Sequence, residues 1–188
     1  NIEIKQPPCR YLSLIKIINM GWERVGYLST SADDIRVQLL QDCASKLDFK
    51  LVKNVITGDN SLPDATDRIL RDSDILLALP DNIIYNRHSV KNILLSAYRH
   101  RIPVIGFSDN FVRAGALASV YSTPDQLAEQ VVVTIRRYFD KDVSGINISI
   151  PPAHYSVSIN SQVAKALDID LKNKTQIEAL MHQLEAAQ

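Results

Sequence analysis

The sequence predicts an α/β fold, a parallel sheet with helices on both faces, and three observations carry the prediction. First, between Ile75 and Ser108 a short apolar run (Ile75 to Leu79) ends at Pro80-Asp81-Asn82, and a second run follows at Val104 to Phe107. Neither run alternates with polar residues, as expected of strands covered on both faces. Second, the stretch between them has helical spacing at Val90, Ile93, Leu94, Ala97 and Tyr98. A helix joining two such strands makes them parallel, with a right-handed crossover. Third, the same alternation recurs upstream, giving βαβαβαβ in order.

The elements follow from local signals. Ile2 and Ile4 alternate with polar residues before Gln6-Pro7-Pro8, like the end of a strand arriving from elsewhere. The proline pair opens a helix with apolar positions Tyr11, Leu14, Ile15 and Ile18, closing near Gly21. Arg24 to Leu28 is a strand. Ser31 is placed to cap the next helix, with Asp33 and Asp34 favouring its N-terminal dipole and Ile35, Leu39, Leu40, Cys43, Ala44 and Leu47 on its apolar face. Leu51 to Ile56 is the second strand, Gly58-Asp59-Asn60 a turn, and Pro63 to Asp72 a short helix. After the central unit, Gly115 to Tyr121 reads as a strand or extended segment. Thr123-Pro124-Asp125-Gln126 is a capping box opening a helix with Leu127, Val131, Ile135, Tyr138 and Phe139 on one face, widened by Val132 and Val133. Gly145 precedes alternating segments at Ile146 to Ile150 and Tyr155 to Ile159. Ile177, Leu180, Met181 and Leu184 mark a C-terminal amphipathic helix.

Composition excludes several classes. The 188 residues are 46% apolar and 22% charged, the balance of a globular protein with a sizeable core. Lysine plus arginine equals aspartate plus glutamate at 21 each, with no basic stripe, so nucleic acid is not the expected partner. No run reaches the roughly 18 apolar residues of a membrane span. Residues 1–6 have no secretory n- or h-region, so the protein is either cytosolic or has lost a targeting segment. Cys9 and Cys43 lack a CxxC spacing; Cys43 reads as a buried free thiol, and Cys9, beside two prolines, as exposed. Neither G-x-G-x-x-G nor a P-loop occurs, Leu28 is not followed by the acidic pair of a receiver domain, and G-x-S-x-G is absent. His88, His100, His154 and His182 are too scattered for a metal site. The reading is therefore non-enzymatic, with no cofactor and no metal.

What remains is at the strand ends. In open α/β sheets ligands lie beyond the carboxyl ends of the strands, where this chain places Ser29-Thr30-Ser31, Pro80-Asp81-Asn82 and Ser108-Asp109-Asn110. Such short hydrogen-bonding groups orient a small polar ligand without transforming it. Each also has a plain alternative: Asp81 as a cap for a helix starting near Asn82, and Ser29 to Ser31 as capping residues. A carboxylate at Asp81 suits the ammonium of an amino-acid-like ligand, with Ser29, Thr30 and Ser108 donating to its carboxylate end.

Pro80-Asp81, the Ile102-Pro103-Val104-Ile105 strand, Gly115-Ala116-Leu117-Ala118 and the segment Asn160 to Lys165 together resemble the second lobe of ABC transporter substrate-binding proteins of type I periplasmic-binding fold. The likeness is to an uncharacterised transport group related to aromatic amino-acid binders, and it runs from about Gln6 to Leu171. The resemblance implies an extracytoplasmic, periplasmic location, an ABC permease as partner, and Ser29, Thr30, Asp81, Tyr85 and Ser108 facing the ligand. It divides the chain into 1–12 as a first-lobe remnant and crossover, 13–122 as the second-lobe domain, 123–150 as helix and strand belonging with the first lobe, 151–172 as a return to the second lobe, and 173–188 as the C-terminal helix. A first lobe is expected to be missing, which makes the chain a fragment or a short form. Its absence leaves the 123–139 helix face without cover and predicts a homodimer. The same fold also serves as the sensing input of signalling proteins, the alternative from another class.

Overall fold

The computed structural model describes residues 3–30, 35–56, 62–139 and 150–186, the side chains of 35, 36, 137 and 138 excepted. The elements are α1 Pro8–Ile18, β1 Arg24–Ser29, α2 Ile35–Lys46, β2 Lys50–Val55, α3 Leu62–Asp72, β3 Ile75–Leu77, α4 Ser89–Arg99, β4 Val104–Gly106, α5 Asp109–Arg113, β5 Ala118–Tyr121, α6 Pro124–Phe139, β6 Ser156–Ile159, α7 Ser161–Ala166 and α8 Lys174–Ala186. The sheet order is β2-β1-β3-β4-β5-β6. The first four pairings are parallel, and β6 closes the edge antiparallel to β5.

Two apolar layers cover the sheet. One packs Tyr11, Leu14 and Ile15 of α1, Leu40 of α2 and Ile177 and Met181 of α8 against Val25, Tyr27, Ile75 and Leu77. The other packs Ile69 and Leu70 of α3, Ile93 and Ala97 of α4 and Phe111 of α5 against Leu28, Leu76 and Val104. Adjacent residues of β3 thus enter opposite layers, which is why that strand is apolar without alternation.

The structure corrects several expectations. Cys9 and Cys43 are not free thiols: they form a disulfide joining α1 to α2, with Cα atoms 5.2 Å apart. Both stand on the helix faces turned toward each other, a proximity invisible in a spacing of 34 residues. On α2, Leu39 is exposed and Val37 is buried, because the helix meets the core through Val37, Leu40 and Ala44. Tyr98 likewise faces outward from α4. The segment before β5 is not extended throughout. Ser108 caps a five-residue helix, α5, and Gly115, at φ 123, makes the left-handed turn into Ala116 and Leu117. No helix starts near Asn82; residues 82–88 form turns, and α4 begins at Ser89.

The Thr123 capping box is present in both directions: Gln126 N donates to Thr123 Oγ1 at 3.2 Å, and Thr123 N donates to Gln126 Oε1 at 2.9 Å. At the entry of the sheet, Asp74 accepts from Glu23 N (3.0 Å) and Arg24 N (2.8 Å) and pairs with the Arg24 guanidinium (2.7 Å). The expected features at Ile2, Ser31, Asp33, Asp34, Gly58 to Asn60, Gly145 to Ser149 and the Tyr138 side chain lie outside the described residues. Ile150 is described: its carbonyl accepts from Glu3 N at 2.9 Å, so the chain at Glu3 lies beside the chain at Ile150.

Candidate functional site

The order β2-β1-β3 means that the connections leaving β1 and β3 run to opposite sides of their boundary, the place at the carboxyl edge where open α/β sheets form a ligand crevice. The predicted residues sit on its two rims. Ser29 ends β1 and is buried, with its carbonyl accepting from Ile56 N at 2.8 Å. Thr30 follows it and spans the crevice, donating from Oγ1 to Asp81 Oδ2 at 2.8 Å.

Asp81 does two jobs. Its Oδ1 accepts from the amides of Ile83 (2.8 Å) and Ile84 (3.2 Å), and its carbonyl accepts from Tyr85 N (2.8 Å), so it folds the turn after β3. Its other oxygen is held at the crevice by Thr30. Asp81 thus closes a turn where a helix cap was expected, and that turn fixes its carboxylate beside Thr30 at the β1/β3 boundary.

Tyr85 is delivered by that turn. Its ring is buried edge-on against Phe107 (centroids 6.1 Å) and Phe111 (5.6 Å). Gly106 permits this cluster, since a Cβ there would meet Phe111 at 2.7 to 2.8 Å. The Tyr85 hydroxyl is buried and has no hydrogen-bond partner among the described residues. Such a group costs free energy unless something supplies its bond. Burial drives the Tyr85 phenol well above its ordinary range, and the Asp81 charge raises it further, so it stays protonated as a donor.

Ser108 caps α5, accepting from Phe111 N at 3.3 Å. With Tyr85, Phe107, Phe111, Arg87 and Lys91 it lines a cavity of about 620 Å³. The structure thus brings Thr30, Asp81 and Tyr85 together at the crevice, and Tyr85 and Ser108 around the cavity beside it. The Thr30 hydroxyl, expected to donate to a ligand carboxylate, donates to Asp81 instead, whereas Ser108 Oγ accepts from Phe111 N and keeps its own proton to donate. Sequence reasoning missed Phe107 and Phe111. The available signal was Phe-Ser-Asp-Asn-Phe after a strand, a serine cap with phenylalanines on either side of it. Among the described residues, no three His, Cys, Asp or Glu side chains gather as a metal site. No helix among them is long and apolar enough to cross a membrane.

Residues 8–183 match the profile of a family described as ABC transporter substrate binding protein. A tyrosine-binding protein of Clostridioides difficile is 24% identical over 162 residues, covering 84% of this chain and 46% of the relative. Among solved structures, a conserved domain protein of Vibrio cholerae superposes with TM-score 0.71 at 23% identity, over 95% of this chain and 60% of the other. A domain from Streptococcus pneumonia in complex with L-Trp gives TM-score 0.71 at 18% identity, over 94% and 60%. The ligand-free, open structure of a Clostridium difficile substrate-binding protein gives 0.67 at 21%, over 86% and 55%. The chain therefore spans about half the length of the relatives it matches.

Proposed function

Because this chain belongs to the ABC transporter substrate-binding protein family, a family of non-enzymatic binding proteins, we propose that its crevice holds the ammonium of an amino-acid-like ligand whose side chain lies toward the aromatic cluster. The observation that carries this reading is the buried Tyr85 hydroxyl, unpartnered among the described residues, near a carboxylate pinned across the β1/β3 boundary. Asp81 supplies the anion for the ammonium and Tyr85 the donor for a second polar atom. Phe107 and Phe111 supply apolar surface. The relatives named for tyrosine and bound to tryptophan support an aromatic side chain.

The same reading places the protein outside the cytoplasm, working with an ABC permease. The Cys9 to Cys43 disulfide supports that compartment, since such bonds persist where the surroundings are oxidising. It also keeps the division in which 123–150 belongs with a different lobe from 13–122, supported by the exposed apolar residues of α6. Association into a homodimer through those residues is part of the proposal.

Calorimetric titration tests the site, with L-tyrosine and L-tryptophan as ligands and tyramine and D-glucose as controls. The two amino acids are expected to bind, and Asp81→Asn is expected to weaken them roughly 10- to 100-fold, the size of a lost charge-assisted hydrogen bond. Binding of D-glucose without either amino acid, or amino-acid binding unaffected by Asp81→Asn, would overturn the assignment.

A further inference from the structure

Under the division proposed above, three passages of chain lead between the α/β body and the part that carries α6: residues 5–7, the pair Ser122 and Thr123, and residues 150–155. We propose that Arg10 and the last turn of α8 form a latch on these crossings, a positioning device that fixes the angle at which α6 leaves the body.

The latch is a directed chain of donors. Arg10 Nη1 donates to Gln6 Oε1 at 2.7 Å, on the first crossing, and to the Pro152 carbonyl at 2.6 Å, on the third. Gln6, itself buried, passes the bond on from Nε2 to Ser122 Oγ at 2.6 Å, on the second. Ser122 then donates to the His154 carbonyl at 2.7 Å, returning to the third. Every donor points the same way, so each bond polarises the next.

The guanidinium at the head of this chain is largely buried and takes its counter-charge from α8, through Arg10 Nε to Glu185 Oε1 at 2.5 Å. Its plane lies over the Tyr155 ring at 4.6 Å, and that ring stacks on His182 of α8 at 5.0 Å. A lysine cannot reach three partners in one plane while stacking on a ring. Further up α8, Glu178 Oε1 accepts from Val157 N at 3.0 Å. The C-terminal helix is therefore bonded both to the third crossing and to the strand that follows it.

On its other side α6 is held by polar tethers. Gln126 Nε2 donates to Ser156 Oγ (3.2 Å), and Gln130 brackets the third crossing by donating to Pro151 O (2.9 Å) and accepting from Ala153 N (2.8 Å). Val131, Val132, Val133 and Ile135 are all exposed, so apolar packing on that face does not set its angle. The crossings set it, and α8 clamps the crossings. The latch rests on the lobe division proposed above and not on the identity of the ligand.

The test needs no ligand. A dye pair carried at Leu95 and Val133, both exposed, reports the distance between body and α6 in the chain by time-resolved energy transfer. A narrow distribution is expected for the unaltered sequence, and a broadened one for Arg10→Lys and for Glu185→Gln. Amide exchange over residues 123–130 is expected to accelerate roughly ten-fold or more in both variants, while the amides of β1, β3 and β4 stay within about two-fold. If Arg10→Lys does not fold, Glu185→Gln, at a partly exposed carboxylate, decides alone. An unchanged distance distribution in the variants that fold, or exchange that rises equally in every strand, would overturn the latch.

Discussion

Tyr85 is the residue on which the fold and the proposed site pull in opposite directions. The turn folded by Asp81 and the rings of Phe107 and Phe111 bury its hydroxyl without giving it a partner. Tyr85→Phe removes that unsatisfied group and leaves the ring packing in place. The variant is expected to be as stable as the parent or more stable by about 1 kcal/mol, yet to bind L-tyrosine or L-tryptophan roughly ten-fold more weakly. Thermal melts and titrations on one preparation check both halves, and a loss of stability would show that the hydroxyl has a bond within the fold. The strand-end rule made Thr30, Asp81 and Ser108 legible in the sequence, because it depends on topology and short polar residues alone. It did not reveal that Thr30 donates its hydroxyl proton to Asp81 or that Ser108 accepts from the Phe111 amide, since both partners are fixed by side-chain geometry. Phe107 was read only as the end of a strand and Phe111 was not singled out, because an apolar residue looks the same in the sequence whether it faces the interior or a cavity.

Elements built from local signals were legible, and those that depend on contact between helices were not. The capping box at Thr123 and the proline opening of α1 hold as written in the sequence, each using groups within a few residues of one another. The buried face of α2 instead reflects how that helix leans on α1, and the disulfide between them shows the same contact. For a sequence separation of 34, the loss of unfolded-chain entropy is worth about 4 kcal/mol at most. Reduction, or Cys43→Ala, is therefore expected to lower Tm by roughly 5 to 15 °C, measured by melting with and without reductant. An acid limb of stability belongs to the β1 and β3 entry. Burial pushes the Asp74 carboxyl up, but the hydrogen bonds from Arg24 and from the amides of Arg24 and Glu23 outweigh it and hold the carboxyl below its ordinary 3.8. A depressed carboxyl contributes stability that is fully present above the ordinary value and is lost as pH falls through the lowered one. Asp74→Asn should be less stable than the parent at pH 7, and the gap between them should narrow as pH falls below the ordinary 3.8 and the parent's carboxyl protonates. Urea midpoints taken from pH 7 to pH 2 would show it, and a gap constant with pH would mean that Asp74 acts through its geometry alone.

At the scale of the molecule, the question is what covers α6. The sequence offers two apolar helix faces, and the C-terminal one is too narrow to cover the other by folding back. The structure separates them. Ile177 and Met181 of α8 are fully buried against α1 and the sheet, with Leu180 and Leu184 packed beside them. That helix is spent on the body. On α6, Val131, Val132, Val133 and Ile135 remain between 38% and 49% exposed and Phe139 is 77% exposed, while Ile4, next to the segment paired with Ile150, is 74% exposed. Covering a large apolar side chain gains about 1.5 to 3 kcal/mol when burial is complete, so even partial cover of these six is worth several kcal/mol, on the scale of a whole domain's stability. Exposed apolar surface of that kind drives association, most simply as a two-fold pair in which the same face meets itself. The chain alone at micromolar concentration is therefore expected to scatter light as a dimer and to dissociate on dilution. Val131→Asp would place two like charges near the axis and should shift the chain to monomer without lowering its melting temperature in the dilute limit, since Val131 lies outside both core clusters. A monomer mass for the parent at every concentration, with Val131→Asp indistinguishable from it, would show that α6 needs no second copy.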